Sequence, residues 1–280
     1  HLRRAVLRKD EVVERRLLPG GGATSSRHLE GSVTDPLRLV GVGAEAALAV
    51  GAGLVTLVGE YEALKEHAAQ VTAIMLRETD ADLALIDDRV RAAAIGPGAG
   101  ISSQTSETVL HLLKKGIPLV LDADAITSFA DNPAELFGQL HDQVVLTPHE
   151  GEFARLFPAI DLADRWTAAR LAAEVSGAAV LLKGPETVVA APDGRLAVNR
   201  HASPWLATAG SGDVLAGLIC GVLAQDNTAF EAACIACWLH GDIGVRGGPG
   251  LTADRMVDLI PLVLGGCLSD GERHDPRPRP

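Results

Sequence analysis

The chain has 280 residues, 47% hydrophobic and only 3% aromatic, with a formal net charge of −11. That length suits one large α/β domain or two small ones, with ample apolar material for a core. The negative charge, the lack of any long basic run and the scarcity of stacking rings argue against nucleic acid as a partner. No apolar stretch reaches membrane-spanning length without charge or turn residues, so no membrane is expected either.

Residues 1–40 form a segment that resists reading. His1 to Arg16 is too charged for a signal peptide, and the chain opens on His rather than Met. It therefore reads as a processed product or the back part of a longer polypeptide. Gly20-Gly21-Gly22 has no clear strand before it, so it reads as a connection rather than a ligand loop. An Ala-rich helix is predicted over 42–50, a buried strand over 54–58 and a helix over 61–70. Residues 80–91 read as a polar, amphipathic helix or loop. Arg91 to Ile95 is a strand that feeds Gly96-Pro97-Gly98-Ala99-Gly100, the usual place for a ligand in an open α/β sheet. Ser102 and Ser103 are candidate caps of a helix that runs to Lys115, and Gly116 stops it. Residues 118–121 form the next strand. Asp122 and Asp124 at its end read as caps of the following helix in preference to ligand contacts.

Residues 144–147 form a strand ending in Pro148-His149-Glu150-Gly151-Glu152. A histidine and two acids stand there where crossover sheets bind ligands, without metal-diagnostic spacing. A helix over 165–176, a strand over 179–183 and a turn at 184–186 follow. Lys183 reads as a phosphate contact or as a solvated strand-end lysine. Two short strands, 187–191 and 195–199, flank the hairpin signal Pro192-Asp193-Gly194. Helices are predicted over 231–242 and 252–264, and residues 269–280 as a disordered tail. The alternation of strand and helix implies a mostly parallel sheet covered on both faces, with an antiparallel hairpin at one edge. One domain over 41–268 accounts for it.

The four cysteines form no disulfide framework, so a reducing, cytoplasmic compartment is expected. Cys234 and Cys237 have CxxC spacing but lie in an Ala-rich helix without a second ligand pair, and read as buried thiols.

Ala207-Thr208-Ala209-Gly210-Ser211-Gly212-Asp213 leads straight into an apolar run, Val214 to Ala224. Small residues let the backbone turn sharply and approach a ligand. A glycine-rich turn opening a helix leaves N–H groups without partners, and the helix dipole makes them an anion site. Asp213 falls in the first helical turn. A carboxylate beside a bound phosphate has a use as the base that takes a proton from an attacking hydroxyl. The other reading is a simple helix cap, stabilising by about 1 kcal/mol.

Five stretches carry a family resemblance: Ile95 to Gly100, Leu121 to Ala125, Leu146 to Glu152, Leu182 to Gly184, and Leu206 to Gly217. In this order they resemble the ADP/ATP-dependent NAD(P)H-hydrate dehydratase family over roughly residues 40–265. The resemblance implies a ribokinase-like three-layer α/β/α sandwich. It also implies a repair reaction: the ring hydroxyl of (6S)-NADHX or NADPHX is phosphorylated by ADP or ATP, phosphate leaves, and NADH or NADPH returns. By position, Asp213 matches the catalytic aspartate, and Gly210, Ser211 and Gly212 match the anion hole. Lys183, Gly184, Pro185, Glu186 and Thr187 match the nucleotide-lining segment, together with Gly212. Gly98, Gly100 and His149 match positions that contact the hydrated dinucleotide. Mg²⁺ is implied with the phosphates, as are a homo-oligomer and an epimerase domain or protein as partner.

The chain departs from the family pattern at Ala209 and Ser211, where Gly and Thr are commoner. It also departs at Arg16 to Gly22, followed by a polar insert with Asp35 to Arg38, where the family has an apolar strand, Gly-Gly and an Ala-rich helix. A ribokinase-like kinase acting on a vitamin precursor would share the sheet and the anion hole. A non-catalytic nucleotide-binding protein would have no use for Asp213.

Overall fold

The computed structural model describes residues 11–15, 36–78 and 89–273, with side chains over 41–78 and 89–267. In chain order, the strands are β1 (Glu11–Arg15), β2 (Leu54–Gly59), β3 (Met75–Glu78), β4 (Val90–Ile95) and β5 (Leu119–Leu121). They continue with β6 (Val144–Leu146), β7 (Ala179–Leu182), β8 (Thr187–Ala190) and β9 (Leu196–Asn199). They form one sheet in the order β3-β2-β1-β4-β5-β6-β7-β8-β9. Every pairing from β3 to β7 is parallel; β7–β8 and β8–β9 are antiparallel, as the hairpin signal implies. The chain winds outward from β1 through β2 to β3, then returns to β1's other side as β4. That reversal is a topological switch point, where such sheets open a crevice at the carboxyl ends of the strands.

Ten helices flank the sheet among the described residues. On one face lie α1 (Pro36–Ala49), α2 (Tyr61–Ala68), α8 (Ser211–Leu223), α9 (Ala229–Gly247) and α10 (Ala253–Arg273). On the other lie α3 (Ser103–Lys114), α4 (Asp124–Thr127), α5 (Pro133–Phe137), α6 (Glu150–Leu156) and α7 (Arg165–Ser176). Strand side chains alternate between the two cores. Ala92, Ala94 and Val120 face the α8 side; Ala93, Ile95, Leu119 and Leu121 face the other. Burial on both faces explains why these strands read as unbroken apolar runs.

The α1–α8 contact is made backbone to backbone. A Cβ on Gly217 would lie 2.0 Å from the Gly43 carbonyl oxygen, and one on Gly221 would lie 2.7 Å from that of Ala47. A mid-helix glycine costs roughly 0.5–1 kcal/mol against alanine. Here it lets α8 close on α1, with its N-terminus at the carboxyl edge of the sheet.

Several expectations need correction. A strand does precede Gly20-Gly21-Gly22: β1 is an inner strand, between β2 and β4. Its Glu-Val-Val-Glu-Arg sequence offers only two apolar residues, too few for a periodic signal. The glycines themselves lie outside the described residues. Helix α1 begins at Pro36, inside the stretch read as a polar insert, with proline suited to a first helical position. Residues 80–88 of the 80–91 segment lie outside the described residues, and Arg91 belongs to β4. Edge strand β3 and the short helix α5 have no counterpart in the sequence reading, and α4 appears there only as the unbounded helix after Asp122 and Asp124. Helix α10 continues to Arg273, into the segment read as tail; residues 274–280 lie outside the described residues.

Candidate active site

The turn before α8 does what its composition suggests. Gly210 is the N-cap residue with φ of 82°, a left-handed conformation that glycine adopts without strain. The Ser211 amide makes a long 3.3 Å bond to the Thr208 carbonyl, whereas the Gly210 and Gly212 amides donate to no protein acceptor among the described residues. Two donors at a helix N-terminus thus stay available for an anion. Asp213 is half-buried in this first turn.

The strand ends come up against this helix from the sheet side. Gly96 has φ of 139°, and a Cβ there would lie 1.6 Å from the Asp122 carbonyl oxygen. The loops after β4 and β5 are therefore in backbone contact, with the Asp122 amide donating to Ile95 O at 3.1 Å. Asp122 and Asp124 do not cap the next helix; α4 has no side-chain cap, and its N-cap Ala123 has φ of 47°. Asp124 Oδ2 accepts from the Gly100 amide at 2.9 Å and pins the Gly96–Gly100 loop. Asp122 Oδ1 accepts from Lys183 Nζ at 2.7 Å. A buried charge pair and a loop amide, both distant in sequence, outweigh a cap on a four-residue helix.

Lys183 is the electrostatic hub, neither a solvated strand-end lysine nor one held apart for phosphate alone. Its ammonium pairs with Asp122 and lies 3.9 Å from Glu152 Oε2. A Cβ on Gly212 would be 3.8 Å from the same nitrogen, which places Lys183 beside the α8 turn. Burial works against its charge, but Asp122, Glu152 and then Asp213 hold its pKa above the ordinary 10.5.

His149 is the N-cap of α6. Its Nδ1 accepts from the amides of Gly151 (2.9 Å) and Glu152 (3.2 Å), and Glu152 Oε2 accepts from the His149 amide at 2.8 Å. This capping box leaves the half-exposed ring with Nε2 3.4 Å from Glu152 Oε1. The 184–187 turn is shaped by a residue that the sequence did not single out. Arg165, first in α7, donates to the carbonyls of Lys183 (3.0 Å), Leu182 (3.3 Å) and Glu186 (3.4 Å), and pairs with Glu150. A Cβ on Gly184 would strike this guanidinium at 2.3 Å. Pro185 is exposed, Thr187 Oγ1 donates to Gly184 O at 3.1 Å, and Glu186 pairs with Arg200 at 2.8 Å.

The structure thus links Gly212, Asp213, Lys183, Asp122, Glu152 and His149 in one continuous set at the carboxyl edge, with Gly98 and Gly100 in the adjoining loop. Arg165 and His240 were missed: each lies in an unremarkable helical context, and only the tertiary fold gives it a partner. The cysteines form no disulfide among the described residues; burial pushes the Cys234 thiol up to about 12 and that of Cys237 to about 11. Among the described residues, no three His, Cys, Asp or Glu side chains are grouped to hold a metal ion.

A family profile for NAD(P)H-hydrate dehydratase matches residues 41–256. The chain belongs to this family. The bifunctional NAD(P)H-hydrate repair enzyme of Moorella thermoacetica is 36% identical over 270 residues, covering 89% of this chain and 49% of the relative. The chain therefore spans about half the length of that relative. An ADP/ATP-dependent NAD(P)H-hydrate dehydratase from Bacillus subtilis, co-crystallised with ATP and Mg²⁺, superposes with a TM-score of 0.74 at 24% identity. It covers 91% of this chain and 89% of its own. A ribokinase-like superfamily protein from Enterococcus faecalis gives a TM-score of 0.74 at 23% identity over 91% and 87% of the two chains. The fold is ribokinase-like, and the dehydratase motifs coincide with the carboxyl-edge cluster.

Proposed function

We propose that this chain dehydrates (6S)-NADHX or NADPHX to NADH or NADPH, with ADP or ATP as phosphoryl donor. The reading rests above all on the Gly210 and Gly212 amides opening α8, which donate to no acceptor among the described residues, with Asp213 in the same turn. The donor's terminal phosphoryl group would sit on those amides, where developing charge is stabilised without reorganisation. Asp213 would accept the proton of the ring hydroxyl as its oxygen bonds to phosphorus and the bond to the departing AMP or ADP breaks. Hydroxide leaves poorly and phosphate leaves well, so the ring nitrogen's lone pair can then expel phosphate to give an iminium ion, and loss of a proton from the adjacent ring carbon to water restores the reduced ring. Lys183, next to Gly212, would offset phosphate charge while Asp122 keeps it in place. The 184–187 turn held by Arg165 would line the adenine nucleotide. Gly98, Gly100 and the outward edge of His149 would meet the hydrated dinucleotide.

The acidic oxygens on hand, Glu152 and Asp213, suit a hard ion carried mainly by the phosphates and water. Mg²⁺ bound there would neutralise charge on the transferring group. The co-crystallisation of the Bacillus subtilis protein with ATP and Mg²⁺ supports this reading, as the bifunctional relative supports an epimerase partner. We also place the enzyme in the cytoplasm, as a homo-oligomer. Four cysteines outside any disulfide favour a reducing setting, and no described helix is long and apolar enough to cross a membrane.

The test is to mix the protein with hydrated NADH, Mg²⁺ and either ADP or ATP and follow the return of NADH absorbance. Return with one nucleotide identifies the donor. No return with either removes the proposal and leaves the kinase reading, which a screen of vitamin-precursor alcohols for nucleotide consumption would examine.

A further inference from the structure

His240, on α9, is half-buried and has no role in the chemistry above. Its Nε2 lies 3.0 Å from the Ser211 carbonyl oxygen and 2.9 Å from Ser211 Oγ. A carbonyl oxygen can only accept, so Nε2 must carry the ring proton. A protonated ring nitrogen has no lone pair left to accept with. Ser211 Oγ must therefore accept from His240 as well, and its own hydroxyl proton is directed elsewhere. Helical serines commonly return that proton to a carbonyl in the preceding turn. Among the described residues, Ser211 Oγ makes no such bond.

We infer that His240 is a positioning residue: it aims the Ser211 hydroxyl proton at the anion held by the α8 turn, adding a side-chain donor to the two free amides. The inference rests on the phosphoryl-transfer reading and deepens it. Burial, with Lys183 also opposing a second positive charge, lowers the His240 pKa to about 4, so the ring stays neutral at physiological pH. Neutrality preserves the one-donor arrangement that the geometry requires.

A double-mutant cycle tests it, with kcat, nucleotide Kd and melting temperature measured for each folded variant. Ser211→Ala and His240→Leu are each expected to lower kcat about 10- to 100-fold, in the range of losing one oxyanion donor, with Kd moved no more than about threefold. The double variant should be no slower than the worse single one. His240→Gln, which keeps a donor, should recover most of the rate. Undiminished kcat in either single variant, additive losses, or no recovery with glutamine would overturn the inference while the dehydratase reading stood. No turnover by the parent chain with either nucleotide would overturn both.

Discussion

The two ends of the parallel sheet differ sharply. At the carboxyl edge, strand ends meet the N-terminus of α8; unpaired amides, a buried lysine and three carboxylates converge there, and glycines bring backbones into contact. At the amino edge, the starts of β4, β5 and β6 meet the C-terminal end of α8 around a cleft of about 390 Å³. Val90, Ile117, Pro118 and Leu223 line that cleft, and its charges are Arg91 and Asp226, an exposed pair that largely neutralises itself. What separates the two is polarity: helix N-termini supply donors and positive potential, while C-termini offer carbonyls that an anion avoids.

The contrast can be broken most directly at Asp213. Asp213→Asn should lower kcat by about 10³-fold or more, as expected for a lost general base, with nucleotide affinity by calorimetry within about twofold. Equal loss of binding would make the residue structural. Gly96→Ala forces a Cβ onto the Asp122 carbonyl, at a φ that alanine rarely adopts. It should cost about 3 kcal/mol or more in denaturant unfolding, and a wild-type midpoint would disprove the loop contact.

Lys183→Met leaves Asp122 buried without its partner. About 2–3 kcal/mol of stability should be lost at pH 7, below the full buried-pair value because the lysine is partly exposed. The folded pKa of Lys183 is raised, so its contribution is complete below the ordinary 10.5 and disappears as pH rises through the higher folded value. Stabilities of parent and variant should therefore differ steadily while pH stays below the ordinary lysine range and converge only as pH rises through the higher folded pKa of Lys183. Arg91→Ala, at the other end, should change stability by less than about 1 kcal/mol and leave turnover intact. A large rate loss there would mean that the amino-edge cleft communicates with the chemistry.

The carboxyl-edge motifs were legible because each combines an apolar run with the turn residues that end it. Leu146-Thr147-Pro148 and Ile95-Gly96-Pro97 announce a strand end wherever they occur. What was not legible depends on distant partners. Asp122 looks like a cap until Lys183, 61 positions later, arrives beside it. Inner strand β1 has two apolar residues between charges, and its place comes from pairing with β2 and β4 rather than from its own pattern. Ser102 was read correctly as a cap because its acceptor bond to Thr105 N is local. His149 was expected at a strand end facing ligand, but its second role as a helix cap required seeing which of its nitrogens faces the α6 amides.

Glycines at 217 and 221 have a mechanical consequence. With main chain touching main chain, α8 has no slack in which to slide or tip against α1, so the turn at its head is a fixed reference point. On the proposed reading substrates would register to it, and adjustment on loading would fall to the 184–186 corner and the loops facing it. An evolved change of donor or acceptor would accordingly be sought in those loops, while the α1–α8 seam stays as it is.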